Sequence, residues 1–330
     1  MTKLILSTGN IVSGGPSIIR KPGAFRSNLE LTNSLRSNFV AAQEDAAAEL
    51  DARGATNGNG DTNGSGDSVD SDAETGTPRR VPTTAWTGRG QNGALYVPRI
   101  HWDHDHHQGL QEERAQYDIT VKLFFLPGAP VSERSRYARE ALEHVLQELR
   151  VPEVDLLIVS FPGMSFEGDC EWEADRKNAV QGNDEDEIAT WPAIEELHRL
   201  SLAKRLGLAE FGSEKLARFL SKAQVRPTVN QINLKNCCNV PPPLAQLAKE
   251  QGIELLVHSD CTDILPKGTL RELLGPGPRG AAILADSETG AGGLQGDLTP
   301  LWVVKYTAVV RDRGVIESKG YFAGAELADE

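Results

Sequence analysis

The sequence predicts an α/β protein with a largely parallel sheet, and three observations lead to this prediction. Near-continuous apolar runs at residues 118–126 and 154–161 are typical of buried strands. They alternate with amphipathic stretches of about 10–18 residues, which is the pattern of βαβ units. When three low-complexity segments are set aside, about 230 of the 330 residues remain, and this length is within the range of a small (β/α)8 barrel. Periodicity alone leaves both an open doubly wound sheet and a closed barrel possible.

Each element is predicted from its local pattern. A helix over residues 132–149 has Ser132 as its N-cap and carries Ala138, Leu142 and Leu149 on one face. Residues 300–313 are ambiguous, because their β-branched side chains favour a strand whereas their length and Gly314 favour a helix. The other predicted elements are strands over 3–7, 118–126, 154–161, 207–211, 228–234, 253–258 and 315–318, and helices over 191–206, 213–223 and 243–251.

Three segments are predicted to be inserts within a single domain that covers residues 1–330. Residues 43–93 contain GATNGNGDTNGSGDSVDSDAETGTP, which has almost no large apolar side chain, and this composition predicts disorder. Residues 164–190 are acidic and lack periodicity, and residues 275–297 are rich in glycine. Both are predicted to be insert loops.

The charge and cysteine content exclude several classes of function. The chain has 34 Lys+Arg against 47 Asp+Glu, a formal net charge of −13, whereas nucleic acids and anionic membranes select basic surfaces. Its 4 cysteines do not form a disulfide framework. No apolar run approaches the roughly 18 residues of a membrane span, and the apolar start is too short for a signal peptide. We therefore expect a cytoplasmic protein that binds neither nucleic acid nor membrane.

Motifs for nucleotides and metals give little support for either chemistry. No GxGxxG follows the first strands, and no GxxxxGK[ST] occurs. The segment HWDHDHHQG at residues 101–109 has side chains that could bind zinc or copper, but a polar loop with weak ion affinity has the same composition. Because nothing in the sequence supplies the second shell that a metal site needs, no metal is expected.

Several motifs resemble the aldo-keto reductase family. The stretches VDLLIVSFPG, VRPTVNQINLKNCC and PPPLAQLAKEQGIELLVHSD are similar to its fourth, sixth and seventh βα units. A closer resemblance is to a divergent branch, the modifier (regulatory) subunits of glutamate–cysteine ligase, and it extends to STGN at residues 7–10, VKLFF at 121–125 and PLWVVKYTAVVRDRGVIESKGY at 300–321. The resemblance implies an aldo-keto-reductase-like (β/α)8 TIM barrel with disordered or low-complexity inserts.

The resemblance also implies that the reductase chemistry is lost. Reductases of the family use a Tyr, Lys, Asp and His around NADPH. Lys122 matches the family lysine, Ser160 stands where the family has His, and no residue matches the Asp or the Tyr. Gln231 and Lys319 match cofactor contacts, but they are vestigial because an acid at Glu210 replaces a neighbouring contact. We expect a pseudoenzyme with no catalytic residue and no cofactor; the alternative is an NADPH-dependent aldo-keto reductase with a degenerate active site.

The implied partner is the catalytic subunit of glutamate–cysteine ligase, in a heterodimer that serves glutathione biosynthesis. The resemblance implies better effective glutamate affinity of that subunit and weaker feedback inhibition by glutathione. We predict an interface that includes Cys237, Cys238, Arg313 and Lys319, because the most family-like residues surround them without any chemistry to perform. The two adjacent cysteines could equally be buried apolar side chains or redox-sensitive thiols.

Overall fold

The apolar runs form a ten-stranded sheet among the described residues. The structure, a computed structural model, describes residues 1–12, 26–56, 81–90, 93–100, 102, 109–233, 239–285 and 292–328. None of the helices in these ranges has the length and apolar character needed to cross a bilayer. The strands are β1 (Thr2–Ser7), β2 (Gly88–Arg89), β3 (Leu95–Val97), β4 (Tyr117–Phe125), β5 (Val154–Ser160), β6 (Ala203–Ala209), β7 (Val229–Asn233), β8 (Glu254–His258), β9 (Asp297–Val310) and β10 (Val315–Ala328). The helices are α1 (Ser27–Thr56), α2 (Thr83–Trp86), α3 (Arg134–Leu149), α4 (Glu171–Asn178), α5 (Asp184–Arg199), α6 (Ser213–Leu220), α7 (Pro242–Gln251) and α8 (Thr269–Leu274).

Strands β4 to β8 form the parallel half of the sheet and confirm the predicted βα alternation. They pair in chain order through parallel ladders, and helices α3, α5, α6 and α7 connect them. The apolar side chains of these helices pack against one face of the sheet, which we call the outer face. Tyr137, Trp191 and Phe219 belong to this core and are at most 3% exposed. Burial of this apolar surface is the main force that holds the helices on the sheet.

The ambiguous segment at residues 300–313 is a strand. It lies within β9, which forms an antiparallel hairpin with β10 and joins β4 to β1. Trp302, Val304 and Tyr306 pack in the outer core, and Val303 between them packs in the core on the opposite, inner face. A period of two with both faces buried is typical of a central strand.

Helices α1 and α8 cover the inner face of the sheet at the hairpin. Leu31, Leu35 and Phe39 form one stripe along α1 and share a core with Phe124 and Val303. The predicted α/β class with a mostly parallel sheet is confirmed. The sheet ends at β2 and β8, and no ladder joins these two strands in the part of the chain that the structure describes. Closure into a barrel is therefore not seen among these strands.

The prediction of disorder over residues 43–93 is wrong at both ends of this segment. Helix α1 continues through Gln43 to Thr56, and residues 81–90 form α2 and β2. The reason is packing, because Trp86 is 3% exposed and its ring lies 6.0 Å from the ring of Phe39. Residues 57–80, which hold most of the Gly/Asn/Asp-rich sequence, lie outside the described residues.

The other two predicted inserts are also partly structured. Residues 164–190 contain α4 and the start of α5, where the side chain of Asn183 accepts hydrogen bonds from the backbone N–H groups of Glu185 and Asp186 at 3.0 and 3.3 Å. Such an N-cap begins a helix even in an acidic stretch. Within residues 275–297, Ile283 and Leu284 are buried in the inner core, and residues 286–291 lie outside the described residues.

Candidate functional site

A buried charged cluster lies on the inner face, where the parallel half of the sheet meets the hairpin. Lys122 of β4 is 4% exposed, and its Nζ lies 3.0 Å from Oδ2 of Asp260, in the loop after β8. The other carboxylate oxygen, Oδ1, accepts a hydrogen bond from Nζ of Lys305 at 2.7 Å. Lys122 and Lys305 are direct partners in the β4–β9 ladder. The register of the strands therefore brings two ammonium groups to one carboxylate.

The charges of this cluster depend on one another. Burial alone would raise the pKa of the Asp260 carboxyl, but the ammonium groups of Lys122 and Lys305 outweigh it and hold that pKa well below its usual range. Burial lowers the pKa of the Lys122 ammonium, and the charges of Asp260 and Glu210 oppose this shift. Asp260 is thus ionised at neutral pH and acts as the acceptor of both lysines.

A second acid–base pair lies beside the cluster. Glu210 follows β6 with a left-handed φ of 65°, and its Oε1 lies 2.5 Å from Nε2 of His258, without hydrogen-bond geometry. The backbone N–H of Asp260 donates to Nδ1 of His258 at 3.0 Å. Because Nδ1 accepts, Nε2 is the ring nitrogen that carries a hydrogen.

The other predicted reductase positions lie on neighbouring strands. Ser160 ends β5 at 9% exposure, and its partner in the β4 ladder is Phe124. Gln231 lies in β7, and its Oε1 has no hydrogen-bond partner within the described ranges. The structure therefore brings Ser160, Gln231 and the Lys122 cluster to the same sheet.

Lys319 is engaged by an acid of α1. Its Nζ lies 2.7 Å from the Glu30 carboxylate, which also accepts a hydrogen bond from the phenol of Tyr321 at 2.6 Å. Tyr321 is the partner of Lys305 in the hairpin ladder. Lys122, Lys305 and Tyr321 thus form a row across three adjacent strands, with Glu30 at its end.

Tyr321 is poorly suited to act as an acid catalyst. Burial, and then the charge of Glu30, raise its pKa well above the ordinary value, whereas a proton donor in this chemistry needs a pKa close to the working pH. Its side chain is 0% exposed. Tyr96 and Tyr117, which precede Lys122 in the chain, pack on the outer face instead. The row therefore forms an ionic network that the carboxylates of Asp260 and Glu30 close.

A cavity of about 410 Å³ opens beside Asp260. Its walls include the carboxylates of Glu167, Asp260 and Asp263 and the cationic side chain of Arg26. The first turn of α1 closes one side, because the hydroxyl of Ser27 accepts a hydrogen bond from the backbone N–H of Cys261 at 2.7 Å. The described lining thus offers one cation, Arg26, against three carboxylates, and Lys319 is bound to Glu30. These residues are therefore a poor match for the phosphates of a dinucleotide cofactor, which need an excess of cations.

Of the four residues predicted for the partner interface, Arg313 and Lys319 lie in the described chain. Arg313 is 58% exposed and pairs with Glu112 at the tip of the hairpin. Since Val310 pairs with Tyr117, the first residue of β4, this tip lies at the amino end of the parallel strands. Cys237 and Cys238 lie outside the described residues.

Sequence reasoning missed Lys305, Glu30 and Tyr321. Lys305 was obscured because residues 300–313 were ambiguous; in a strand, its place between the outward-facing Val304 and Tyr306 puts it on the inner face. Tyr321 could have been found, because an aromatic residue within the family-like stretch at residues 300–321 is a candidate for burial near the site. Glu30 had no local signal, because its contacts depend on the packing of α1 against distant strands.

Comparisons with known proteins agree with this architecture. The family model "Aldo/keto reductase family" matches residues 106–272, half of the chain. The glutamate–cysteine ligase regulatory subunit of Mus musculus is 28% identical over 215 residues, covering 65% of this chain and 68% of that protein. Deoxymugineic acid synthase 1 of Hordeum vulgare is 36% identical over 119 residues, covering 36% and 37%. The solved aldose reductase of Schistosoma japonicum has a TM-score of 0.34 and 24% identity over 50% of each chain. The resemblance to regulatory subunits of the ligase is confirmed as a similarity.

Proposed function

The chain belongs to the aldo/keto reductase family, and from that premise we propose that it is the non-catalytic regulatory subunit of glutamate–cysteine ligase. The observation that carries the proposal is the similarity to a protein of that name along 65% of the chain. Family membership alone would not suffice, because one fold serves many functions. The closed network of Lys122, Asp260 and Lys305 supports the non-catalytic part, since one carboxylate engages the ammonium groups of both lysines.

A regulatory subunit of this kind works by differential binding. It can raise the catalytic subunit's affinity for glutamate, and weaken inhibition by glutathione, only by binding one conformation of that subunit more tightly than another. A preference of about 1–3 kcal/mol corresponds to about a 5–150-fold change in affinity. The ligation chemistry belongs to the partner. The proposal includes a cytoplasmic location, which rests on the absence of a disulfide framework among the 4 cysteines.

For the interface, we keep Cys237, Cys238, Arg313 and Lys319 as candidates and test the two basic residues separately. Arg313 is the cleaner probe, because it is 58% exposed and its removal leaves only an exposed acid behind. Lys319 is 21% exposed and bound to Glu30. Reversing its charge would place two acids together and would disturb folding as well as binding.

The test is an association experiment by sedimentation velocity. The full chain is titrated into the glutamate–cysteine ligase catalytic subunit of the same source. We expect a one-to-one complex, weaker binding by Arg313→Glu, and unchanged binding by the matched control Arg139→Glu, which is also exposed and paired with one acid. Absence of a wild-type complex would contradict the function. Equal affinity of wild type and Arg313→Glu would contradict only the assignment of Arg313 to the interface.

The retained Lys122 favours one alternative, an NADPH-dependent reductase with a degenerate site. Titration with NADPH, followed by nicotinamide fluorescence, separates the two functions. The regulatory proposal expects no saturable change. Saturation together with carbonyl reduction that is lost in Lys122→Met would replace it with the reductase.

A further inference from the structure

A second cavity of about 1060 Å³ lies away from the charged cluster, at the β3 edge of the sheet. It lies between α3 and the segments that carry α2, β2 and β3, and it reaches Ile283 and Leu294 on its far side. Its volume is at the upper end of the range typical of small-molecule sites. The polar residues that line it include Thr83, Thr84, Arg99, Glu140, Glu143 and His144.

The buried side chain of His144 indicates that this cavity binds a ligand. The residue is 5% exposed, and neither Nδ1 nor Nε2 has a hydrogen-bond partner in the described part of the chain. Burial, and then the charge of Lys3, lower its pKa to about 4, so the ring is neutral at pH 7 and offers one donor and one acceptor. Leaving both buried groups unpaired destabilises the protein, because each has lost its hydrogen bonds to water without gaining others. A bound molecule with a complementary donor and acceptor would offset that loss.

The walls around His144 are aromatic. Its ring centroid lies 5.4 Å from that of Trp102 and 5.8 Å from that of Tyr96, and both residues line the cavity. Trp302 and Phe322 support the ring from behind at 6.2 and 5.6 Å. Trp102 is fixed by a hydrogen bond from its Nε1 to Glu148 at 3.1 Å. Flat rings of this kind favour a planar ligand that packs against them.

The charges around the cavity favour an anionic group on that ligand. The two acids at its wall are neutralised, Glu140 by Lys3 and Glu143 by Arg139. Arg99 instead donates to the backbone carbonyls of Thr84 and Thr87 at 2.9 and 3.1 Å, and it has no carboxylate partner within the described ranges. Its guanidinium is thus positioned by neutral acceptors and keeps its full charge for an anion.

We propose that this cavity binds a planar heteroaromatic molecule that carries an anionic group, of the class represented by purine mononucleotides. The ring packs against Trp102 and Tyr96 and exchanges hydrogen bonds with His144, while the anionic group pairs with Arg99. The site is separate from the reductase-like cluster. It requires no partner subunit, so its test does not depend on the proposed function.

The test is calorimetric titration of the isolated full chain with AMP, adenosine and inorganic phosphate. We expect saturable binding of AMP, weaker binding of adenosine, and no binding of phosphate alone. His144→Phe keeps the ring and removes both nitrogens; it should weaken AMP and adenosine by about tenfold, the equivalent of one buried hydrogen bond. Arg99→Gln should weaken AMP but leave adenosine unchanged.

The matched control is Arg226→Gln, an exposed arginine that also bonds a neutral acceptor, Gln251, at 3.0 Å, and it should bind AMP as the wild type does. Thermal unfolding of each variant checks that it is folded; Arg99 and Arg226 are both exposed, so these variants should fold normally. The proposal is overturned if AMP does not saturate the wild type, if His144→Phe binds AMP with wild-type affinity, or if phosphate alone binds as tightly as AMP.

Discussion

Replacing Asp260 with Asn tests whether the charged cluster is a closed ionic network. The carboxylate is 8% exposed and is shared by Lys122 at 3.0 Å and Lys305 at 2.7 Å. Asparagine keeps the shape and one acceptor oxygen but removes the charge that compensates two ammonium groups, that of the buried Lys122 and that of the partly buried Lys305. Removing one partner of a buried ion pair costs about 3–5 kcal/mol, so we expect the free energy of unfolding at pH 7 to fall by about that amount.

The assay is urea unfolding followed by circular dichroism, with Asp263→Asn as the control. Asp263 lies in the same loop and is exposed, so its replacement should change stability by no more than about 0.5 kcal/mol. Adding Lys122→Met to Asp260→Asn removes one of the ammonium groups that have lost their carboxylate, and it should restore about 0.5–3 kcal/mol of the free energy of unfolding. A loss below about 1 kcal/mol for Asp260→Asn, equal to an ordinary neutral hydrogen bond, would refute the network.

Three further predictions concern other buried or paired charges. Lys215 is 1% exposed and contacts Glu187 at 2.9 Å and Asp184 at 2.7 Å, so Lys215→Met should lower the free energy of unfolding by about 3–5 kcal/mol in urea. A hydrogen bond from Arg218 is the main cause that lowers the pKa of Asp184 from 3.8 to about 2. The ionised Asp184 therefore stabilises the fold fully above pH 3.8, and this stabilisation is lost as the pH falls towards 2. The urea midpoint of the wild type should fall over this pH range, and that of Asp184→Asn should lack this contribution. The pKa of His144 is about 4 in the folded protein, against the ordinary value of 6.5, so the unfolded chain binds more protons between these two pH values. The free energy of unfolding of the wild type should therefore fall as the pH drops from 6.5 to 4. The urea midpoint of His144→Phe should not show that fall.

The parallel half of the fold was most predictable where a strand is buried on both faces, as β5 is along its whole length. Near-continuous apolar runs such as DITVKLFF and VDLLIVS are typical of strands that lie in the middle of a covered parallel sheet. Helix α1 was missed although Leu31, Leu35 and Phe39 follow helical spacing. Its second half is rich in alanine and acidic residues and has no apolar stripe. Its composition therefore resembles that of the Gly/Asn-rich segment that follows, and both were assigned to one disordered insert.

The candidate site was predictable only where it matches a local motif. Lys122 and Gln231 stand in family-like strands, whereas the contacts that define their surroundings come from residues far apart in the chain. Lys305 reaches Lys122 through the β4–β9 register, and Glu30 reaches Tyr321 through the packing of α1. Register and helix docking are set by the whole core, so a local pattern does not contain them.

The central claim is tested most directly by the kinetics of glutamate–cysteine ligation. The rate of the purified catalytic subunit is measured against glutamate, with and without glutathione, while this chain is added up to molar excess. We predict that the apparent KM for glutamate falls and saturates at one chain per catalytic subunit, and that inhibition by glutathione weakens over the same range. An unchanged KM and unchanged inhibition at excess chain would contradict the regulatory function.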